Sequence, residues 1–402
     1  MRVVVAPDSF KGSVTADDAA RALARGWLAH RPGDDVRLLP LADGGEGTVD
    51  AFAAALPDAE HRTVTVPGPD GRPVPAAWLL LPDGAAVLEL AQSSGLPLMR
   101  APDPLGAQTY GLGAVARAAL DAGATRLVIG LGGSASTDGG TGALRALGLR
   151  LRDRQGRDLP LGGAALADLA HVDTTNLQPA PSGGVQLLVD VTAPLTGPAG
   201  AAAVYGPQKG AEPADVTLLD TALRRLAELA GGNPDEPGAG AAGGTAYGLA
   251  TLWGARIVPG ATTIAELVGL ADALAGADVL LTGEGRFDET SLTGKVVGSL
   301  LEAAASAAVR VGVAAGQVGG PVPGSVSATV SLARLAGSVE AALNEPARWL
   351  VEAGGVLAGR LGVGSIGRQA RASVGRPSPT RHGQVDRPSG YGGHRNCRRR
   401  RT

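Results

Sequence analysis

A chain of 402 residues is long enough for two or three domains and a sizeable core, and with 44% hydrophobic but only 3% aromatic residues that core must be built from Ala, Leu and Val. The formal charge of −2 is uneven: residues 1–365 hold 26 basic and 37 acidic groups, a net of −11, which argues against a nucleic-acid surface on the body. The only cysteine, Cys397, lies close to the C-terminal end, which excludes a disulfide scaffold, a cysteine zinc site or a cysteine nucleophile in the body.

The opening run Met1–Asp8 is too short for a signal peptide and reads directly into a strand, Arg2–Pro7, so a cytoplasmic protein is expected. Asp8–Ser13 reads as a loop, and Thr15, with Asp18 three residues on, caps a helix with Ala20, Leu23, Ala24, Trp27 and Leu28 on one face. A strand at Val36–Ala42 leads into Asp43-Gly44-Gly45-Glu46-Gly47 and a further helix. The texture then changes to short strands at Thr63–Val66, Val74–Leu81 and Ala85–Ala91. The turns Pro69-Asp70-Gly71 and Pro82-Asp83-Gly84 between them predict antiparallel hairpins. A helix near Gly106–Leu120, a strand at Arg126–Gly130 and a strand at Gln186–Val191 follow.

From about Ile264 the α/β rhythm returns, with strands at Asp278–Leu281, Val309–Ala314 and Ser327–Leu332 and a closing helix at Ser338–Leu361. Residues 311–333 lack charge but carry Gly, Pro, Gln and Ser, which suits strands and loops better than a membrane span. The expected architecture is α/β with two domains. A Rossmann-like parallel domain is made of residues 1–62 and 262–364, and a mixed α+β domain, residues 63–261, is inserted in it. Residues 365–402, rich in Gly, Pro, Ser and Arg, read as a disordered tail.

Lysine usage is informative. Of 36 basic residues only Lys11, Lys209 and Lys295 are Lys, and each sits in a Gly-containing loop. A compact ammonium that reaches a phosphate or carboxylate as a point charge is not replaced by a wide guanidinium without moving its partner. The segment Gly130–Gly140 follows a strand, precedes a helix and carries far more Gly than a structural turn needs. Its backbone N–H groups at Gly132 and Gly133, with the hydroxyls of Ser134, Ser136 and Thr137, suit an anion. There is no G-x-x-x-x-G-K-[ST], so this is no P-loop enzyme. Gly238–Gly243 matches G-x-G-x-x-G but follows no strand, so the dinucleotide reading is rejected.

Acidic residues recur after predicted strands: Asp8, Asp43 with Glu46, Asp190, and Glu284 with Asp288. Carboxylates at the C-terminal ends of parallel strands can hold Mg²⁺ or accept a proton from a substrate hydroxyl. The body's histidines, His30, His61 and His171, lie in no such motif, which argues against a Ser–His triad or a histidine zinc site. What remains is carboxylates, lysines, Arg286, hydroxyls and Gly loops, the equipment of phosphoryl transfer.

These motifs resemble the bacterial glycerate kinases of the first type. The resemblance runs through Ala6–Gly12, Ala42–Thr48, Gln92–Leu96, Gly132–Gly140, Asp190–Thr192, Gly206–Gly210, Pro237–Gly244 and Gly283–Lys295, and covers roughly residues 1–360. It implies ATP-dependent phosphorylation of D-glycerate, usually at the 2-hydroxyl, in a cleft between two domains, with ATP and Mg²⁺ as cofactors. On that reading Asp8, Ser9, Asp43, Glu46, Ser93, Ser94 and Lys209 hold the substrate. Lys11, Lys295 and Arg286 steady the transferred phosphoryl group, and Glu284 and Asp288 form the metal pair. Asp190 is the first choice for the base, while Asp43 and Glu46 also suit Mg²⁺ or hydroxyl contacts. The expected partners are glycerate and ATP, with no nucleic acid and no membrane, and a homodimer is compatible with the pattern. The chain departs from the family at Thr137 and Ala193, where Asn is usual, and at Thr290, where Gln is usual. The competing reading is a non-catalytic sensor that binds a hydroxy acid on the same scaffold.

Overall fold

The structure is a computed structural model and describes residues 1–10, 12–292 and 296–362. The expectations for Lys11, Lys295 and the Arg-rich tail therefore lie outside the described residues. Residues 1–362 form one compact unit. Among the described residues no helix is long and apolar enough to cross a membrane.

The chain begins with β1 (Arg2–Val5), α1 (Ala16–His30), β2 (Asp35–Leu38) and α2 (Thr48–Ala55). Then come β3 (Glu60–Pro67), β4 (Pro73–Leu80), β5 (Ala85–Glu89), β6 (Arg126–Gly130), β7 (Arg150–Arg152), β8 (His171–Asp173) and β9 (Val185–Leu188). The last strands are β10 (Arg256–Val258), β11 (Val279–Phe287), β12 (Arg310–Val318) and β13 (Val326–Ser331).

Two sheets carry the fold. The first is five-stranded, in the order β13-β12-β11-β1-β2, and every pair in it is parallel. It draws its strands from both ends of the chain, as the α/β rhythm of the sequence predicted. The second is six-stranded, β10-β9-β6-β5-β4-β3, with antiparallel β3–β4 and β4–β5 pairs and parallel pairs elsewhere. The hairpins expected from the two Pro-Asp-Gly turns are therefore present. One buried cluster joins the sheets: Val4 and Leu280 of the first pack with Leu79, Val87, Val128 and Leu188 of the second.

Local chemistry explains α1. The Thr15 side chain accepts the Asp18 N–H at 3.1 Å, and Asp17 and Asp18 favour the positive end of the helix. Its buried face, Ala20, Leu23, Ala24 and Trp27, packs on the final helix, Pro346–Leu361. The two backbones approach so closely that a Cβ on Gly26 would lie 1.9 Å from the Val351 carbonyl oxygen.

Three expectations are corrected. The closing helix does not run unbroken from Ser338. Ser338 caps a short helix, Val339–Asn344, and Pro346, which has no N–H to continue it, starts the next. The strand predicted at Val36–Ala42 ends at Leu38, although Leu39 and Leu41 still donate to Val5 and Pro7 carbonyls alongside β1. The strand predicted at Asp278–Leu281 runs on to Phe287, because β12 continues to pair with it up to Val318.

Candidate active site

Five segments at the C-terminal ends of parallel strands converge on a cavity of about 910 Å³. They follow β1, β2, β5, β6 and β9. Of the residues expected from sequence, Ser9, Asp43, Glu46, Gly132, Gly133, Ser134, Asp190 and Lys209 line it. Asp8 stands next to Ser9 but does not line the cavity, and its N–H donates to the Gly283 carbonyl at 2.9 Å. There β1 and β11 part toward opposite sides of the sheet, the switch point at which open α/β sheets bind ligands. Ser93, Ser94, Ser136 and Thr137 are fully buried and do not line it. The hydroxyls of Ser94, Ser136 and Thr137 have no hydrogen-bond partner among the described residues.

Glu284, Arg286 and Asp288 are also absent from the cavity wall. Arg286 is exposed and pairs with Asp288 at 2.9 Å, while the other Asp288 oxygen accepts the Thr290 N–H and hydroxyl at 3.0 and 2.7 Å. These donors hold the Asp288 carboxyl below its usual range, the Thr290 hydroxyl first among them.

The loop after β2 fits against the loop after β6 because both are glycine at the point of contact. A Cβ on Gly132 would sit 2.3 Å from the Gly45 Cα, and the Gly132 N–H donates to the Gly44 carbonyl at 3.1 Å. Gly132→Ala is therefore expected to force the loops apart. Overpacking of this kind costs about 1–3 kcal/mol, to be read as a lower unfolding midpoint in denaturant together with loss of activity. An unchanged midpoint would show that the contact is slack.

Lys209 joins two further segments. It is 2% exposed, and its ammonium donates to the Ser134 hydroxyl at 2.9 Å and the Ser136 carbonyl at 2.5 Å. Burial pulls it down to about 7, against the attraction of Asp138. Asp138 is itself fully buried, and it accepts the N–H groups of Thr109, Gly140 and Gly142 and the Thr109 hydroxyl. Burial raises its carboxyl, and these four donors oppose the rise. The helix start at Thr141 that sequence offered to an anion is thus taken by the chain's own Asp138. The part of the loop that faces the cavity is Gly132–Ser134.

The Gly238–Gly243 run rejected as a dinucleotide motif has a packing role. A Cβ on Gly243 would lie 2.1 Å from the Ser136 carbonyl oxygen, and Gly139 donates to the Gly243 carbonyl at 3.0 Å. Ala242, Gly243 and Gly244 follow one another in left-handed conformation to make that approach.

Asp190 follows β9 and is held by the start of the helix Gly260–Leu267. Its Oδ1 accepts the Gly260 N–H at 2.7 Å and its Oδ2 the Ala261 N–H at 3.2 Å. Gly260 is wedged between this carboxylate and the backbone of Asp43, whose carbonyl oxygen would be 2.2 Å from an added Cβ. Asp190 and Asp43 therefore meet at one glycine. Sequence reasoning missed Glu89, a buried acid at the end of β5; the available signal was a lone charge inside the apolar run Ala85–Ala91.

Among the described residues no group of three or more His, Cys, Asp or Glu side chains could hold a metal ion. Mg²⁺ does not require one, because it is usually bound by one or two carboxylates together with water and substrate phosphates. Asp43 offers such a carboxylate on the cavity wall, so the donor set fits.

Fold and loops together describe an α/β protein without a P-loop, with a cavity at the ends of its parallel strands. The model of the glycerate kinase family matches residues 3–361. The chain is 43% identical over 313 residues to a glycerate kinase of Bacillus subtilis, covering 76% of this chain and 82% of that protein. It is 41% identical over 305 residues to the glycerate 2-kinase of Escherichia coli, covering 74% and 80%. A crystal structure of glycerate kinase 2 from Salmonella typhimurium LT2 superposes with a TM-score of 0.79 at 38% identity, over 90% of this chain and 99% of that one. The chain belongs to the glycerate kinase family and is a kinase, and the sensor reading falls.

Proposed function

We propose that this kinase transfers the γ-phosphoryl group of ATP to the 2-hydroxyl of D-glycerate in the cavity at the strand ends. The observation that carries the reading is the convergence there of a glycine loop, a buried lysine and two carboxylates from different parts of the chain. The name of the Escherichia coli relative supports the 2-hydroxyl. The glycerate oxygen attacks the γ-phosphorus as the bond to the β,γ-bridging oxygen breaks and ADP leaves. Asp190 accepts the hydroxyl proton. It suits the task because a helix start fixes it and a carboxylate on a loose loop would position poorly.

Ser9, Asp43 and Glu46 hold glycerate, with Asp8 behind Ser9 and Ser93 and Ser94 packed under the site. Gly132, Gly133 and Ser134 take phosphate oxygens, with Ser136 and Thr137 supporting them from beneath. Lys209, Lys11 and Lys295 balance the negative charge that gathers. Mg²⁺, when bound, would neutralise phosphate charge, with Asp43 as the carboxylate on the wall that holds it. Glu284 and Asp288 are the other carboxylates for the metal, with Arg286, paired with Asp288, for the transferred phosphate.

The test is phosphorus NMR of the product formed from ATP, Mg²⁺ and D-glycerate. A phosphate on the 2-oxygen couples to one methine proton and gives a doublet, which is the expected result. A triplet, from a methylene neighbour, would move the product to the 3-oxygen. No new ester signal would overturn the substrate.

A further inference from the structure

Beneath the loop that carries Asp43 and Glu46 lies a carboxylate with no part in the chemistry just described. Glu89 is the last residue of β5, opposite Gly130 of β6, and is 2% exposed. Its Oε1 accepts the Gly47 N–H at 3.1 Å, and its Oε2 accepts the Val49 N–H at 3.1 Å. One side chain of the second sheet thus spans the end of the loop and the first turn of α2. Its neighbours Leu88 and Leu90 are fully buried and apolar, so a charge at this position is expensive unless its hydrogen bonds are needed. A carboxylate supplies two acceptors, whereas an amide would turn its NH₂ toward one of the two N–H groups.

We propose that Glu89 is a positioning residue for phosphoryl transfer, bridging Gly47 and Val49 so that the Asp43–Gly47 loop presents Asp43 and Glu46 to the cavity. The inference rests on that cavity being the site of the reaction. The first half of the loop is braced locally: Asp43 Oδ1 accepts the Gly45 N–H at 2.9 Å, and the Thr48 hydroxyl donates to the Gly45 carbonyl at 2.7 Å. The second half turns through a left-handed Gly47, whose carbonyl accepts the Ala51 N–H at 2.9 Å while its own N–H, with that of Val49, is held by Glu89.

The electrostatics make this brace sensitive to pH. Burial pushes the Glu89 carboxyl up to about 7; the Val49 and Gly47 N–H groups hold it back, and Asp50 and Glu46 add to the rise. Those two acids face it from α2 and from the loop. Arg126 of β6 lies four residues from Gly130, paired with Asp83, and Arg117 of the helix Tyr110–Asp121 donates to the Ala146 carbonyl. Protonation puts an O–H where an acceptor is needed and releases one of the two N–H groups.

The experiment compares Glu89→Gln with the parent in kcat/KM for glycerate from about pH 6 to 9, and in hydrogen exchange of the peptide covering residues 43–52. The variant is expected to lose about tenfold in kcat/KM at alkaline pH, as one charge-assisted bond is lost. It should also lack the parent's fall in kcat/KM below neutrality and exchange faster in that peptide. The parent alone gives a second reading: protection of the peptide, corrected for intrinsic exchange, drops as pH falls through neutrality. Unchanged exchange and unchanged kinetics would overturn the inference and leave the cavity reading standing. Faster exchange with unchanged kinetics would make Glu89 a brace remote from the reaction, overturning the inference and the location of the site together.

Discussion

Replacing Asp190 with Asn is expected to lower kcat by about 10²–10⁴-fold, the usual loss when a general base is removed, with KM for glycerate within a few-fold of the parent. The amide keeps an oxygen for the Gly260 N–H, so the side chain stays in place, but it cannot take the hydroxyl proton. Its NH₂ would replace the oxygen that accepts the Ala261 N–H, and the helix Gly260–Leu267 would lose a charge at its start. That costs about 0.3–1 kcal/mol, too little to unfold the protein, so a thermal melt separates the two effects. Turnover within a few-fold of the parent would pass the role of base to Asp43.

Lys209→Met should be nearly as damaging, for a different reason. The ammonium ties the Ser134 hydroxyl to the Ser136 carbonyl, and the thioether can donate to neither. Hydrogen bonds to a charged donor contribute about 1.5–3 kcal/mol each, so a loss of the order of 10²-fold in kcat/KM is expected. The pH profile is the sharper readout, because kcat/KM reports the ionisations of the free enzyme. With its ammonium pulled down to about 7 by burial, Lys209 loses its proton above neutrality, and kcat/KM of the parent should fall on the alkaline side. A variant that keeps the same alkaline fall would show that another group is titrating. Arg at this position should not restore activity, since a planar guanidinium cannot occupy the space of a buried ammonium.

The same two buried groups shape stability with opposite signs. Glu89 has its carboxyl raised from 4.5 to about 7, so the folded state holds a proton that the unfolded chain has already lost. Its contribution is fully present below pH 4.5 and declines until about 7, by roughly 3 kcal/mol at 1.36 kcal/mol per unit. Lys209 is lowered from 10.5 to about 7, so its contribution is full above 10.5 and is lost as pH falls through about 7. Near neutrality both groups sit at or close to their least favourable state for the fold. A reactive site held in a fixed shape commonly costs stability in this way. Denaturant unfolding of Glu89→Gln and the parent between acid and neutral pH checks the first half: the gap should close or reverse as pH rises.

Much of this protein was legible because its signals are local. The β6 strand has the bounds read from sequence, Arg126–Gly130, since a short apolar run between turn residues has little freedom. Thr15 caps α1 through a bond to a residue three positions away. The Pro-Asp-Gly turns set hairpins whose partners are adjacent in the chain. The rarity of lysine singled out Lys209, and the acids after strands singled out Asp43 and Asp190, because the C-terminal ends of parallel strands are where α/β sheets bind ligands.

Other features depend on partners that no local window contains. Lys209 bonds the Ser134 hydroxyl 75 residues away, and Glu89 bonds a loop 42 residues earlier, so neither environment is written near the residue. The continuation of β11 to Phe287 depends on β12 running beside it, and its sequence, Thr282-Gly283-Glu284-Gly285, looks like a loop without that neighbour. The occupation of a helix start by Asp138 rather than by a ligand follows from the burial of the whole loop. Sequence by itself determined the α/β class and the loops that carry charge, because those follow from short-range periodicity and residue type, and its motifs carried the resemblance to a kinase family. Only the tertiary structure decided which of the charged groups face one cavity and which are desolvated. Close packing between Gly45 and Gly132, and between Asp43 and Gly260, settles those distances, and desolvation depends on every neighbour at once.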